Sequence, residues 1–365
     1  MDFTITEEQQ DIQNLANQIL SENVTADTLQ QYDSRETTRF DKNLWSMLAE
    51  SGLFGIAIDT DNGGLGQGFN ELALLFEECG RVLPPAPVIQ HCIASLAIQK
   101  YGSADLQAKL GAMASGETIV SAAIQEAGTD DVYAPTCQVE GGQLTGVKHG
   151  VPFLAQASEL LVVASENGEA GLYRVDPRHE SVSSDPLWTT TMEPQDYVQF
   201  TGTPAEKLGG EDAARYFIER YIAALCAYQV GVSEQMVKLT AEYTSEREQF
   251  GVKIATFQAV GHRTANCYID AKCLKLVTQQ AVSLLDSEGD ASAAVNVAKS
   301  WCGDAAHRVS ITTQHLHGGM GVDRDYPLWR YALWSKQNEL MLGNSTYHLQ
   351  QLGDAIAAGN FDIDP

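Results

Sequence analysis

Cations are scarce in this sequence. Of 365 residues, 23 are Lys or Arg and 48 are Asp or Glu, a formal net charge of −25 at pH 7. A nucleic-acid binder neutralises phosphates with clustered cations, so that class is excluded, and the same sign argues against docking on anionic lipid. No run of about 18 apolar residues occurs, the length a membrane-spanning helix needs. The start, Met1-Asp2-Phe3-Thr4, lacks a basic segment followed by an apolar one, so no signal peptide is read there. These absences predict a cytoplasmic protein. The seven cysteines form no C-x-x-C pair and are odd in number, which argues against disulfides and structural zinc and predicts buried thiols. The eight histidines show neither H-x-x-x-H nor H-E-x-x-H, so no metal site is expected.

What is present is apolar material for a large core, 44% of the chain, arranged with three different periods. From Thr6-Glu7-Glu8-Gln9, which reads as a capping box, Ile12, Leu15, Ile19 and Leu20 recur at helical spacing. Similar patterns over 44–53, 71–79 and 89–101 make residues 1–117 a helical unit. Residues 118–210 change to short β-rich runs (119–124, 160–164, 171–175). Glu140-Gly141-Gly142-Gln143 and Asn167-Gly168-Glu169 supply hairpin turns, which predicts a small β-sheet or barrel. Residues 211–365 return to long helical stripes. Ile218, Ile222, Leu225, Val232, Met236, Leu239 and Tyr243 form one; Val295, Ala298, Cys302, Ala305, Val309, Thr312 and Leu316 form another. Faces this long pack as a four-helix bundle and suit subunit contact, so an oligomer is expected. The fold class predicted is α+β in three parts. The loop Asn62-Gly63-Gly64-Leu65-Gly66-Gln67-Gly68 has G-x-G-x-G spacing and no parallel sheet after it, so it reads as a tight loop between helices rather than a dinucleotide fingerprint.

Two strings carry chemistry. In Arg247-Glu248-Gln249-Phe250-Gly251, with Phe257-Gln258 after it, an Arg can grip a pyrophosphate bidentately, an aromatic can stack on a ring and a Gln can hydrogen-bond a heteroaromatic edge. Read alone, such a string is more often a solvated helix end. In His317-Gly318-Gly319-Met320-Gly321, bare backbone can approach a ligand and turn amides can hold phosphate oxygens, while a glycine cap ending a helix is an equal reading.

Together with Asp325-Tyr326-Pro327, Glu50-Ser51-Gly52-Leu53, Gly63-Gly64-Leu65-Gly66 and Glu77-Glu78-Cys79-Gly80-Arg81, these strings resemble the acyl-CoA dehydrogenase family in order and spacing over essentially the whole chain. The resemblance implies FAD held between two subunits. Arg247, Phe250, Gln258, Gly318, Gly319 and Gly321 would contact its pyrophosphate and adenosine half, with the ring in the neighbouring subunit's pocket. It implies α,β-dehydrogenation of an acyl-CoA thioester: a carboxylate removes the α-proton and the β-hydride passes to the flavin. Electrons would leave through an electron-transfer flavoprotein.

Several positions depart from the family pattern. The usual catalytic Glu, directly before a Gly, corresponds to Leu342 before Gly343, and an alkyl group takes no proton. Some members carry the base near the start of the first long C-terminal helix, where this chain has Tyr221 with Glu219 two residues away; Glu339 lies one turn before Leu342. Glu219 and Glu339 are therefore the candidate bases. The flavin-ring segments are altered to 125–131 and to Gly150-Val151-Pro152-Phe153, without the family's indole and hydroxyl, and His315 replaces a Gln. This asymmetry, with the string 321–331 and Trp334-Ser335-Lys336-Gln337, resembles the heteromeric bacterial branch associated with steroid side-chain breakdown, in which two unlike chains share each flavin. The resemblance implies one subunit of a heterotetramer, with a second acyl-CoA dehydrogenase-like subunit as partner and a bulky acyl-CoA as substrate. A non-catalytic partner that only grips cofactor, or a flavin enzyme with other chemistry, remains an alternative.

Overall fold

The computed structural model describes residues 4–359. Helices α1 (Glu7–Asn23), α2 (Ala26–Gln30), α3 (Lys42–Glu50), α4 (Phe69–Val82), α5 (Val88–Tyr101), α6 (Ala104–Gln107) and α7 (Leu110–Ala114) come first. Strands β1 (Val120–Ala123), β2 (Gln138–Glu140), β3 (Gln143–Pro152), β4 (Glu159–Glu166), β5 (Glu169–Val175), β6 (Val182–Leu187), β7 (Gln195–Pro204) and β8 (Glu206–Gly209) follow. Then come α8 (Glu211–Glu246), the short strands β9 (Glu248–Gln249) and β10 (Val252–Lys253), and helices α9 (Gln258–Asp286), α10 (Ser292–His317), α11 (Leu328–Leu340) and α12 (Ser345–Ala357). The chain forms two compact units, Glu7–Leu75 with Pro85–Ile222, and Phe76–Pro84 with the chain from Ala223 onward. No helix among the described residues is long and apolar enough to cross a membrane.

In the first unit the eight strands form one sheet, ordered β6-β7-β3-β2-β4-β5-β8 with β1 parallel to β4. Apart from the parallel contacts of β4 with β1 and β2, neighbours are antiparallel, as expected from hairpins without βαβ units. Asn167 and Gly168, both at positive φ (55° and 87°), make the two-residue turn that the sequence indicates between β4 and β5. The inward side chains of Val139, Leu144, Val162, Tyr173, Val198 and Phe200 close the sheet's core. The buried face of α1 differs from the expected one. Ala16 and Leu20, one turn apart, are buried while Leu15 is 41% exposed.

The second unit is the helical bundle: three long helices with the 13-residue α11 and α12. Both predicted stripes are buried through Val232, Met236, Val295, Ala298, Cys302, Ala305 and Val309, and the seven cysteines are free, with only Cys273 half-exposed. Helix α11 is fastened by a buried polar cluster. Asn338 Nδ2 donates to Gln229 Oε1 (2.9 Å), and Gln229 Nε2 donates to Ser233 and Ser335 (3.0 and 3.2 Å). Buried Lys299 donates to the carbonyls of Asn338 and Glu339 (2.8 and 3.1 Å), satisfying the orphan C-terminal groups of α11 and opposing its dipole.

The string Glu77-Glu78-Cys79-Gly80-Arg81 gains its meaning here. A Cβ on Gly80 would stand 1.9 Å from the Tyr228 carbonyl oxygen, and one on Gly231 would stand 1.9 Å from that of Glu77, so α4 and α8 cross backbone to backbone. Around the crossing, Lys275 pairs with Glu77 (2.7 Å), and Arg81 bridges Glu234 (2.6 Å) and Glu78 (3.1 Å). Burial pushes the Glu77 carboxyl up, opposed by the Lys275 ammonium. Gly231→Ala is expected to destabilise by about 3 kcal/mol or more, because the obstacle is a backbone carbonyl that cannot rotate away. A urea unfolding curve of the purified variant measures this.

Candidate functional site

The predicted cofactor residues gather at one end of the bundle unit. Helix α8 stops at Glu246, and the chain folds into a two-stranded ribbon that the sequence reading takes for a helix end: β9 and β10 pair antiparallel around Phe250-Gly251. Both turn residues sit at positive φ, 56° and 81°. The x-Gly dipeptide between Gln249 and Val252 is the signal that identifies it. A bulky residue in this region costs about 1–2 kcal/mol, and Phe250 recovers little within the chain, being 93% exposed with only Phe257 against its ring (centroids 6.2 Å apart). The Ile254 amide donates to the Arg247 carbonyl (2.9 Å), closing the ribbon's base. The Arg247 guanidinium is exposed and has no hydrogen bond or ion pair to another described residue. Phe257 caps α9, whose first residue, Gln258, is exposed.

The glycine turn follows α10. Gly318 adopts φ 60°, ψ −134°, a conformation that only glycine holds without strain, and it heads a 3-10 turn over Gly318–Gly321. Gly318 and Gly319 are exposed with open space where a Cβ would stand. Gly321 differs: it is buried, and a Cβ there would meet the Gln314 carbonyl oxygen at 2.7 Å, so its small size serves internal packing. The turn lies beside α8. The Tyr243 ring stacks on His317 at 4.4 Å and its hydroxyl donates to the His317 carbonyl (3.4 Å), one helical turn before Arg247. Two motifs some 70 residues apart in the chain thereby meet. A guanidinium with no partner among the described residues, an outward aromatic and two bare glycines fit a pyrophosphate-bearing dinucleotide such as FAD.

The altered ring-side segments lie in the other unit and are internally committed. Glu126 accepts from the Lys148 ammonium (2.7 Å), the Thr136 and Cys137 amides (2.7 and 3.0 Å) and the Thr136 hydroxyl. Lys148, fully buried, also donates to the Ile124 carbonyl (2.9 Å). Burial raises the Glu126 pKa, but Lys148 and the hydrogen bonds outweigh it and hold the carboxyl at about 2. Phe153 is buried at φ 49°. Neither usual position for the base offers a carboxylate to a ligand. Leu342 is 1% exposed, with its carbonyl bonded to His348 Nε2 (2.9 Å). Tyr221 is 2% exposed and hydrogen-bonded to Gln90, and burial pushes its phenol up. Of the candidate bases, Glu219 is buried with Arg215 3.7 Å away, whereas Glu339 sits at the surface against Lys336 (2.5 Å) and His307 (3.5 Å). A cleft of about 240 Å³ beside β6 and β7, lined by Arg35, Arg39, Trp188, Glu193 and Asp196, holds none of the predicted residues.

Because the folded pKa of Glu126 is depressed, its contribution to stability is present above about pH 4.5 and is lost as pH falls towards about 2. Lys148→Met, which leaves that carboxylate buried without its counter-charge, is expected to cost about 3–5 kcal/mol at pH 7 in a denaturant titration. Acid unfolding should flatten in the double variant with Glu126→Gln.

Two family models match: the acyl-CoA dehydrogenase N-terminal domain over residues 6–117 and the acyl-CoA dehydrogenase C-terminal domain over residues 210–357. Acyl-CoA dehydrogenase FadE27 of Mycobacterium tuberculosis is 34% identical over 98% of this chain and 99% of its own, and FadE28 of the same organism is 26% identical over 97% and 98%. Among solved structures, a variant of the Tcur3481-Tcur3483 steroid ACAD superposes with a TM-score of 0.94 at 37% identity, covering 98% of this chain and 99% of that one. The ChsE4-ChsE5 complex of M. tuberculosis superposes at 0.91 and 33%, with the same coverage. With both terminal regions matched and FadE27 34% identical over nearly the whole chain, the chain belongs to the acyl-CoA dehydrogenase family of FAD-dependent oxidoreductases.

Proposed function

We propose that this chain is one subunit of a heteromeric acyl-CoA dehydrogenase that acts on a steroid side-chain thioester or a similarly bulky acyl-CoA, and that it holds mainly the adenosine end of a shared FAD. The observation that carries the reading is the contrast between the two halves of the site. Arg247, Phe250, Gln258, Gly318 and Gly319 face outward and are uncommitted, while Glu126, Phe153, Tyr221 and Leu342 are turned inward. Bound FAD would accept a hydride from the β-carbon of the thioester. The chain's own part is to fix the pyrophosphate with Arg247 and the glycine turn, and to lay Phe250 and Gln258 against the adenosine. Two relatives of the chain are named for paired subunits or for steroid ACAD activity, which supports the partner and the substrate class. Tyr268, Ile269, Leu276 and Ile311, each more than half exposed on α9 and α10, give an apolar face that a second subunit would cover. An electron-transfer flavoprotein is the proposed electron acceptor, the cytoplasm the proposed compartment, and 1–117, 118–210 and 211–365 the proposed domains.

Glu219 and Glu339 are the proposed candidates for the base, and each lies beside a cation: Glu219 is buried with Arg215 3.7 Å away, and Glu339 lies against Lys336 (2.5 Å). A second reading, in which the unlike subunit supplies the base and this chain only grips cofactor, is favoured by the buried Leu342 and Tyr221 at the two family positions.

Expressing the chain alone and together with an acyl-CoA dehydrogenase encoded beside it tests the assignment. A yellow complex bleached by acyl-CoA only on co-expression is expected; a complex without extractable flavin under every pairing rejects it. Within the competent complex, Glu219→Gln should lower the reductive half-reaction rate by about 100-fold or more if this chain carries the base. Unchanged rates in both Glu219→Gln and Glu339→Gln assign the base to the partner.

A further inference from the structure

The family motifs explain why Arg247 and the glycines are present, but not what holds the two strings in mutual register. His317 fills that position. It is 3% exposed, with Nδ1 against the Thr313 carbonyl (2.8 Å), Nε2 against the Tyr326 hydroxyl (3.2 Å) and one ring face against Tyr243 (4.4 Å, planes 24° apart). Tyr326 also packs on both, with centroids 5.1 Å from His317 and 6.1 Å from Tyr243. Nδ1 donates to the Thr313 carbonyl, and Nε2 pairs with the Tyr326 hydroxyl. Burial lowers the pKa of the ring, opposed by its hydrogen bonds to the Thr313 and Leu239 backbone.

The consequence is mechanical. His317 is the last residue of α10, and its carbonyl, held by the Tyr243 hydroxyl, belongs to the peptide plane that leads into Gly318. Arg247 follows Tyr243 by one turn, its amide donating to the Tyr243 carbonyl (2.9 Å). Tyr326 closes the same unit from the chain beyond the turn. On its far side, the turn is tied by the Gln314 amide to the Gly321 carbonyl (3.4 Å). Glycines have no side chain with which to fix their own amides, so the direction of those donors must be set by their neighbours.

We propose that His317, clamped between Tyr243 and Tyr326, is a positioning residue that sets the Gly318–Gly319 amides and Arg247 on one diphosphate. The inference rests on the reading that these residues face the adenosine end of FAD. Its test uses the co-expressed complex stripped of flavin, with ADP titrated by calorimetry so that turnover is not the readout. Tyr326→Phe, which removes a single oxygen, should weaken ADP binding about fivefold to tenfold. The thermal midpoint of the stripped complex should move by no more than about 2 °C. His317→Gln, whose amide can still pair with the Tyr326 hydroxyl, should recover most of the loss that His317→Ala, the weaker binder, shows. If Tyr326→Phe and His317→Ala bind ADP as the unaltered complex does while Arg247→Ala binds it weakly, the positioning role is wrong and the cofactor reading stands. A lowered thermal midpoint with unchanged ADP affinity also refutes positioning. If Arg247→Ala binds ADP normally as well, the cofactor reading fails, and this inference with it.

Discussion

The bundle unit depends on one steric constraint, the backbone contact of α4 with α8 at Gly80 and Gly231. Two helices approach this closely only where neither carries a Cβ, and the buried carboxylates of Glu77 and Glu78 beside the crossing are met by cations that reach in from the surface. Glu77, Glu78, Arg81, Glu234, Lys272 and Lys275 do this as a single network. The network and the polar cluster under α11 fix the course of α8, and the end of α8 carries Tyr243 and Arg247.

From that anchor the chemistry divides by commitment. Charges that serve the fold are buried and paired: Lys148 with Glu126, Lys275 with Glu77, Lys299 with the end of α11. Groups proposed to serve the cofactor are exposed, and Arg247 has no partner within the described chain. Phe250 carries the distinction furthest, since it combines backbone strain with almost complete exposure. The ring-side segments show the opposite. Glu126 makes contacts that leave it no capacity for a ligand, and Leu342 replaces an acid with a buried alkyl group.

Much of this was legible in the sequence because it is periodic or local. The helical stripes of α8 and α10, the Asn167-Gly168 hairpin and the β-rich middle follow from spacing and turn chemistry, and the two motif strings carried the family resemblance. The Phe250-Gly251 ribbon was locally encoded too, but it was hidden by the helix that runs up to it. Leu15 was misplaced because a stripe on paper does not say which of two adjacent apolar positions the neighbouring element can approach.

The sequence by itself determined the element types, the separation into helical, β and helical stretches, and the identity of the groups able to hold a dinucleotide, since these depend on residues within a few turns of each other. Only the tertiary structure decided which of those groups remain available. Availability depends on partners tens to hundreds of residues away: Lys148 claims Glu126, Lys275 claims Glu77, and Tyr243 meets His317. No periodicity records such pairings, because each is fixed by how the elements pack rather than by the order in which they occur.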